Sequence, residues 1–321
     1  MKMPKTLLTT LISMGLLAAS GAQAAGWCES GKAVKFAGLN WESGMLLTDV
    51  LQFVLEKGYD CKTDSLPGNS ITMENALSSN DIQVFAEEWV GRSAVWNKAE
   101  KAGKVVGVGA PVVGAVEGWY VPRYVIEGDA KRKLEAKASN LKNIADLGQY
   151  ASVFKDPEEP SKGRFYNCPA GWTCELDNSE MLKSYGLESS YTNFRPGTGP
   201  ALDAAVLSSY KRGEPILFYY WSPTPLMGQV DLVKLDEKPG VDKSVSIKVG
   251  LSKTFHDEAP ELVAVLAKAN LPIDLLNQNL GRMAKERIES PKLAKIFLKE
   301  HPEVWHAWVS EEAAKKIDAA L

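Results

Sequence analysis

The chain has 321 residues, 45% of them hydrophobic and 24% charged, with a formal net charge of -3. This is the composition of an ordinary globular protein with material for one or two cores. Its mild acidity argues against a nucleic-acid partner, which requires a basic face.

The first residues read as a leader. Lys2 and Lys5 give a basic start, Leu7 to Ala19 is largely apolar, and Ala22-Gln23-Ala24 is a small-x-small cleavage site. Residues 1–24 are expected to be a secretory signal peptide cleaved near Ala24. The apolar stretch is short for a membrane span and is broken by Thr9, Thr10 and Ser13. No lipidation site precedes Cys28, so a free exported protein is expected. The four cysteines allow three pairings, and the spacing favours Cys168–Cys174 and Cys28–Cys61. The second pair closes the longer loop, a contribution of about 3–4 kcal/mol in the chain-entropy model. Zinc is not expected, because Cys168 and Cys174 lack finger spacing and no His lies near them.

In chain order, Val34 to Leu39 reads as a buried strand, Met45 to Leu55 as a helix stopped by Gly58, and Lys62 to Leu66 as a strand. Ser70 to Leu77 is a short helix with Ser70 as cap. Ile82 to Ala86 is a strand ending at Glu87-Glu88-Trp89. This βαβαβ order opens a parallel sheet, where ligands sit beyond the carboxyl ends of strands. Val105 to Tyr124 reads as strands crossing between lobes, and Leu141 to Leu147 as a helix. Ser179 to Tyr185 and Ala201 to Tyr210 read as helices, with strands at Tyr191 to Phe194 and Ile216 to Tyr220. Strands at Leu232 to Leu235 and Val245 to Val249 precede the C-terminal helices. The fold class is α/β in two lobes, each a mixed, mainly parallel sheet flanked by helices. Lobe I spans 25–115 and 222–321, and lobe II spans 116–221. Crossings near 112–120 and 216–224 form a hinge, with the ligand in the cleft.

Catalysis has little support. His256, His301 and His306 all lie in the last quarter, and no nucleophile elbow or H-E-x-x-H pattern is present. Glu87 and Glu88 are neighbours in a strand and face opposite ways. Gly197-Thr198-Gly199 lacks the rest of a phosphate loop. No cofactor is expected. The aromatic residues carry more. Trp172 sits between Cys168 and Cys174 on a loop that a disulfide would hold in place. Trp41, Trp89 and Trp221 sit at strand ends, and indole is the best aromatic partner for a cation. Trp96, Trp305 and Trp308 fit core packing.

Four segments carry a resemblance: Val34-Lys-Phe-Ala-Gly-Leu-Asn-Trp41, Phe85-Ala-Glu-Glu-Trp-Val90, Cys168-Pro-Ala-Gly-Trp-Thr-Cys-Glu175 and Phe218-Tyr-Tyr-Trp-Ser-Pro223. The chain resembles the substrate-binding proteins of glycine betaine, proline betaine and choline ABC transporters. The resemblance implies a type II two-lobe periplasmic binding fold. It also implies a box of Trp89, Trp172 and Trp221 around a quaternary ammonium, with Trp41 added as in choline-type members. The ligand carboxylate would meet the backbone N–H groups of Thr173 and Cys174. Relatives place a His donor four residues after the strand-three Trp; this chain has Ser93 there, beside Arg92. Glu117 is a second departure, since a carboxylate facing the cleft favours an ammonium that can donate hydrogen bonds. Its other reading is a hinge salt bridge, and Glu42 beside Trp41 is ambiguous in the same way.

The expected function is capture of a small zwitterion of glycine betaine type, by a monomer in the periplasm, for delivery to an inner-membrane ABC permease. An amino acid such as L-histidine or proline is the first alternative ligand. A secreted enzyme using Glu117 or Glu88 is the second alternative, and a structural role is the third.

Overall fold

A computed structural model describes residues 26–91, 93–227, 229–238 and 245–321. The leader at 1–24 and the candidate Arg92 lie outside the described residues. The chain opens with β1 (Val34–Gly38), α1 (Glu42–Tyr59), β2 (Thr63–Pro67), α2 (Ser70–Ser78), β3 (Val84–Val90), α3 (Ala94–Lys101) and β4 (Val105–Val108). β1 pairs in parallel with β2 and with β3, giving the expected βαβαβ unit. Leu46, Leu47, Val50, Leu51, Val54 and Leu55 recur at helical spacing along α1, and all are fully buried. Truncating one of them, Leu51→Ala for example, costs about 2–5 kcal/mol. The helix runs past the expected stop at Gly58 and ends at Asp60, whose φ is 54°. Gly58 serves packing instead: a β-carbon there would lie 3.1 Å from Ile317 and 3.2 Å from Ala313. The cap of α2 is Asn69, which accepts the Thr72 N–H, and Ser70 is the first helical residue.

The second part holds β5 (Val116–Pro122), α4 (Arg123–Glu127), β6 (Gly163–Tyr166), α5 (Thr173–Ser184), β7 (Tyr191–Phe194), α6 (Gly199–Arg212), β8 (Leu217–Ser222) and β9 (Leu232–Lys234). β10 (Ser246–Ser252) then returns to the first sheet. The helices α7 (Lys253–Glu258), α8 (Pro260–Lys268), α9 (Ile273–Glu286), α10 (Ser290–Glu300), α11 (Pro302–Trp305) and α12 (Glu311–Ala320) follow. Among the described residues the strands form two five-stranded sheets, ordered β2-β1-β3-β10-β4 in lobe I and β7-β6-β8-β5-β9 in lobe II. Both are mixed, each with two parallel and two antiparallel pairings.

The expected lobe boundary at 221/222 does not follow the sheets. β8 runs through Ser222, and β9 pairs with β5 through Val121↔Val233. The return to lobe I therefore comes after Lys234. Between 141 and 150 the element is a 3-10 helix, Ile144–Tyr150, started by a reciprocal cap between Asn143 and Asp146. The disulfides are Cys28–Cys61 and Cys168–Cys174. The first ties the segments entering β1 and β2, which lie side by side with Val34 opposite Thr63. One core lies between the lobe I sheet and the helices α1, α8, α9 and α10. The other fills lobe II and reaches the opposite face of the lobe I sheet through Trp41, Trp172 and Trp221.

Candidate functional site

Lobe I supplies Trp41 and Trp89. Trp41 is the last extended residue before α1, just past β1. Trp89 lies inside β3, opposite Ile247, because pairing with β10 carries the strand beyond its expected end. Both indoles are oriented by one atom. Glu87 Oε1 accepts the Trp41 Nε1–H at 2.9 Å, the Trp89 Nε1–H at 2.9 Å and the Ser43 hydroxyl at 3.0 Å. Glu87 is fully buried, and Oε2 has no hydrogen-bond partner among the described residues. Burial pushes its carboxyl up to about 7, against the three donors, which favour the charged form.

Lobe II supplies Trp172 and Trp221. Trp172 caps α5, which starts at Thr173, earlier than the expected Ser179. The first amides of a helix have no intrahelical acceptor, so the Thr173 and Cys174 N–H groups are open to an anion. The loop is braced from behind. Asn167 Oδ1 accepts the Cys168 N–H at 2.6 Å and the Asn178 amide at 2.8 Å, and Asn167 Nδ2 donates to the Glu175 carbonyl at 3.1 Å. Gly171 takes φ 87°, open to glycine at little cost. Trp221 sits within β8 directly opposite Glu117 of β5. Such a cross-strand pair shares a face, and so Glu117 is carried into the cleft beside the ring. Tyr219, two residues before Trp221 on that face, donates its hydroxyl to Glu117 Oε2.

The lobes meet across the cleft. Trp41 touches Trp172 with centroids 5.5 Å apart, and Trp172 touches Trp221 at 5.3 Å, both edge to face. The Ile71 N–H of lobe I reaches the Gly171 carbonyl of lobe II at 3.4 Å. As the lobes stand, the cleft is nearly closed, with a cavity volume of about 40 Å³, below the range of open small-molecule sites. Trp41, Ser70, Trp89, Glu117, Trp172, Thr173, Cys174, Tyr219 and Trp221 line it.

Seven of the expected site residues thus converge. Ser93 does not line the cleft: its hydroxyl caps α3 by accepting the Trp96 N–H at 3.1 Å and donates to Glu74 Oε2 at 2.5 Å. Glu88 faces the other side of β3, where Glu74 and Glu100 raise its carboxyl further after burial has done so. The histidines contact surface acids, His256 with Asp257, His301 with Glu303 and His306 with Asp318. Sequence reasoning missed Tyr219, Ser70 and Glu87. Alternation along β8 and β3 carried the signal for Tyr219 beside Trp221 and for Glu87 beside Trp89; Ser70 is marked in the sequence only as a helix cap. Two further acids are near. Burial pushes Asp203 up to about 6 while it accepts the Tyr220 hydroxyl at 2.7 Å, and burial also raises Glu42.

A family model described as the substrate binding domain of the ABC-type glycine betaine transport system matches residues 32–300. The glycine betaine/proline betaine-binding periplasmic protein of Escherichia coli (strain K12) is 25% identical over 270 residues, covering 74% of this chain and 77% of that protein. Among solved structures, the glycine betaine, L-proline ABC transporter binding protein from Borrelia burgdorferi superposes with a TM-score of 0.76 at 22% identity, covering 89% of this chain and 100% of its own. An ABC-transporter choline binding protein in complex with choline gives 0.75 at 18% identity, covering 91% and 99%. With matching sequence over most of its length and the two-lobe fold of these proteins, the chain belongs to the family of substrate-binding domains of ABC-type glycine betaine transport systems.

Proposed function

We propose that this protein captures a small zwitterionic quaternary amine, with glycine betaine as the type, in the cleft between its lobes. The observation that carries the reading is the convergence of four tryptophans from both lobes beside the open amides of α5. A trimethylammonium cannot donate hydrogen bonds, so π-faces and nearby charge are what recognise it, at about 0.5–2 kcal/mol per ring. Three or four such rings approach half of the roughly 8 kcal/mol that micromolar binding requires. The carboxylate at the other end of the ligand meets the Thr173 and Cys174 amides, where the helix dipole adds attraction. Closure of the lobes then hands a loaded, unreacted ligand to an inner-membrane ABC permease. The chain works as an exported periplasmic monomer after loss of residues 1–24.

A second reading rests on Glu117. With Tyr219 it puts a carboxylate and a phenol on the cleft wall, partners suited to an ammonium bearing N–H groups. That favours an amino acid, such as L-histidine or proline, over a betaine. Isothermal titration of the ligand-stripped protein with glycine betaine and, separately, L-histidine divides the readings. Betaine binding with histidine silent supports the first. The reverse result transfers recognition to Glu117, and silence with both ligands overturns the two together.

A further inference from the structure

We propose that Glu87 is the positioning residue of the lobe I wall, a buried carboxylate whose single oxygen Oε1 aims both Trp41 and Trp89 at the cation site. The inference rests on the aromatic-box reading above. The two rings come from different places in the chain, the entry to α1 and the end of β3. An indole at such a position can rotate about two side-chain bonds, and neither ring is tied down covalently. Glu87 removes that freedom from both by taking their N–H groups at 2.9 Å. Ser43 adds a third donor on the same oxygen. Burying a carboxylate is costly unless hydrogen-bond donors offset its lost hydration, as the three donors on Oε1 do in part. An apolar residue would pack behind two indoles at lower cost, but it would leave two indole N–H groups buried without acceptors.

The arrangement also bears on strength. Above about pH 7, where Glu87 is ionised, a charged acceptor on the N–H edge draws that proton away from the ring and leaves the π-face richer in electrons, which is the face a cation meets. Glu87 so acts through Trp41 and Trp89 and touches no ligand; it is not among the residues lining the cleft. It prepays part of the ordering of the box before ligand arrives.

The test reads the rings and the ligand separately. The indole N–H signals of the unliganded protein are recorded by 15N NMR, assigned by Trp→Phe variants, with hydrogen exchange rates. In the unmodified chain Trp41 and Trp89 should show downfield, slowly exchanging signals. In Glu87→Met both should move upfield and exchange faster, while Trp305, which donates to the Leu298 carbonyl at 2.8 Å, stays in place as the control for a global change. Glycine betaine affinity should fall about tenfold or more in Glu87→Met and by less in Glu87→Gln, which keeps an accepting oxygen but loses the charge. Should the Met variant fail to fold, the near-isosteric Gln variant and the exchange rates of the unmodified chain decide. Fast exchange at either indole in the unmodified chain, indole signals unmoved by loss of the carboxylate, or betaine affinity held within about twofold as the signals move, each overturns the proposal. An unmodified chain that binds no betaine refutes the box reading instead, and the indole signals still judge the clamp.

Discussion

Lobe I holds Trp41 and Trp89 through one carboxylate oxygen, whereas lobe II holds Trp172 at the head of a helix beside a disulfide, and Trp221 on a strand with its ring against those of Tyr219 and Tyr220. The indole N–H groups of the lobe I pair are satisfied by Glu87, while that of Trp172 is buried with no partner among the described residues. The same ring is thus fixed electrostatically on one wall and by covalent and packing constraint on the other. The first wall answers to ionisation and the second to thiol redox state. A cleft built from two unlike walls can be disabled from either side by different chemistry, and that makes the contrast testable.

The largest effects separate box tryptophans from core tryptophans. Trp305 is fully buried among the C-terminal helices, with its N–H on a backbone carbonyl. Trp305→Ala should cost about 3–5 kcal/mol of stability and leave ligand affinity close to unchanged, read by denaturant titration and calorimetry below the transition. Trp172→Ala should do the opposite, weakening binding by about 2 kcal/mol or more, roughly thirtyfold, with a smaller change in stability. Equal losses of affinity in the two variants would end the assignment of Trp172 to the box.

The lobe I wall should respond to pH. Burial pushes Glu87 and Glu74 up to about 7 and Asp203 up to about 6. Each ionises less readily in the fold than in the unfolded chain. The stability they contribute is complete below the ordinary carboxyl range of about 4 and is lost as pH rises through 6 to 7. For Glu87 the shift corresponds to about 3 kcal/mol. Glu42 adds its charge from α1 on the same side. Glu88 points to the opposite face with Glu74 of α2, and Lys248 of β10 stands opposite Glu88 in the ladder. Asp156, held well below the usual range by Arg164, keeps its contribution across this window. The thermal midpoint should therefore fall between about pH 5 and about pH 8, and Glu87→Gln should flatten part of that fall. A fall of the same size in the variant would assign the pH dependence to Glu74, Glu88 and Asp203.

Much of this arrangement could be read from residue order, and the failures have physical causes. The βαβαβ start followed from periodicity, and the disulfide pairs followed from spacing. β6 has no signature in the sequence, because four residues after a Glu- and Lys-rich run carry little pattern. β9 lies in the lobe II sheet and not with the expected 222–321 segment, because its pairing with β5 is a tertiary fact. The sequence puts the start of α5 at Ser179, since Cys174, Glu175 and Asp177 give no apolar period, and the loop geometry alone starts the helix at Thr173. Ser93 looked like a ligand donor by position but is consumed as a helix cap. On sequence alone Glu87 stands out only beside Glu88 as an acid–base candidate, and alternation along the strand separates the two. The same alternation put Glu87 on the face of Trp89, yet the arrival of Trp41 from another strand end lies beyond any local pattern.

The lobe II wall is tested by breaking its disulfide. A loop this short contributes about 2 kcal/mol in the chain-entropy model. Replacing Cys168 and Cys174 by Ser should lower stability by up to that amount and weaken binding severalfold, with the Trp41 and Trp89 N–H bonds to Glu87 kept. The Asn167 network still braces the loop base, so the loss should be partial; full retention of affinity would make the disulfide dispensable for aiming Trp172.

The smallest expected effect probes the seam between the walls. A β-carbon on Gly171 would press against the Asn69 side-chain amide across the cleft, and its backbone φ of 87° strains any other residue. Gly171→Ala should cost about 1 kcal/mol in lobe II from the backbone alone, and further affinity from hindered closure. Asn69→Ser shortens the opposing side chain and keeps a capping oxygen for the Thr72 N–H. The double variant should regain the affinity lost to the steric contact but not the stability lost to backbone strain. That non-additivity, measured by titration and thermal unfolding on all four proteins, isolates closure from local strain. Strict additivity would mean that the Asn69–Gly171 contact plays no part in bringing the two walls together.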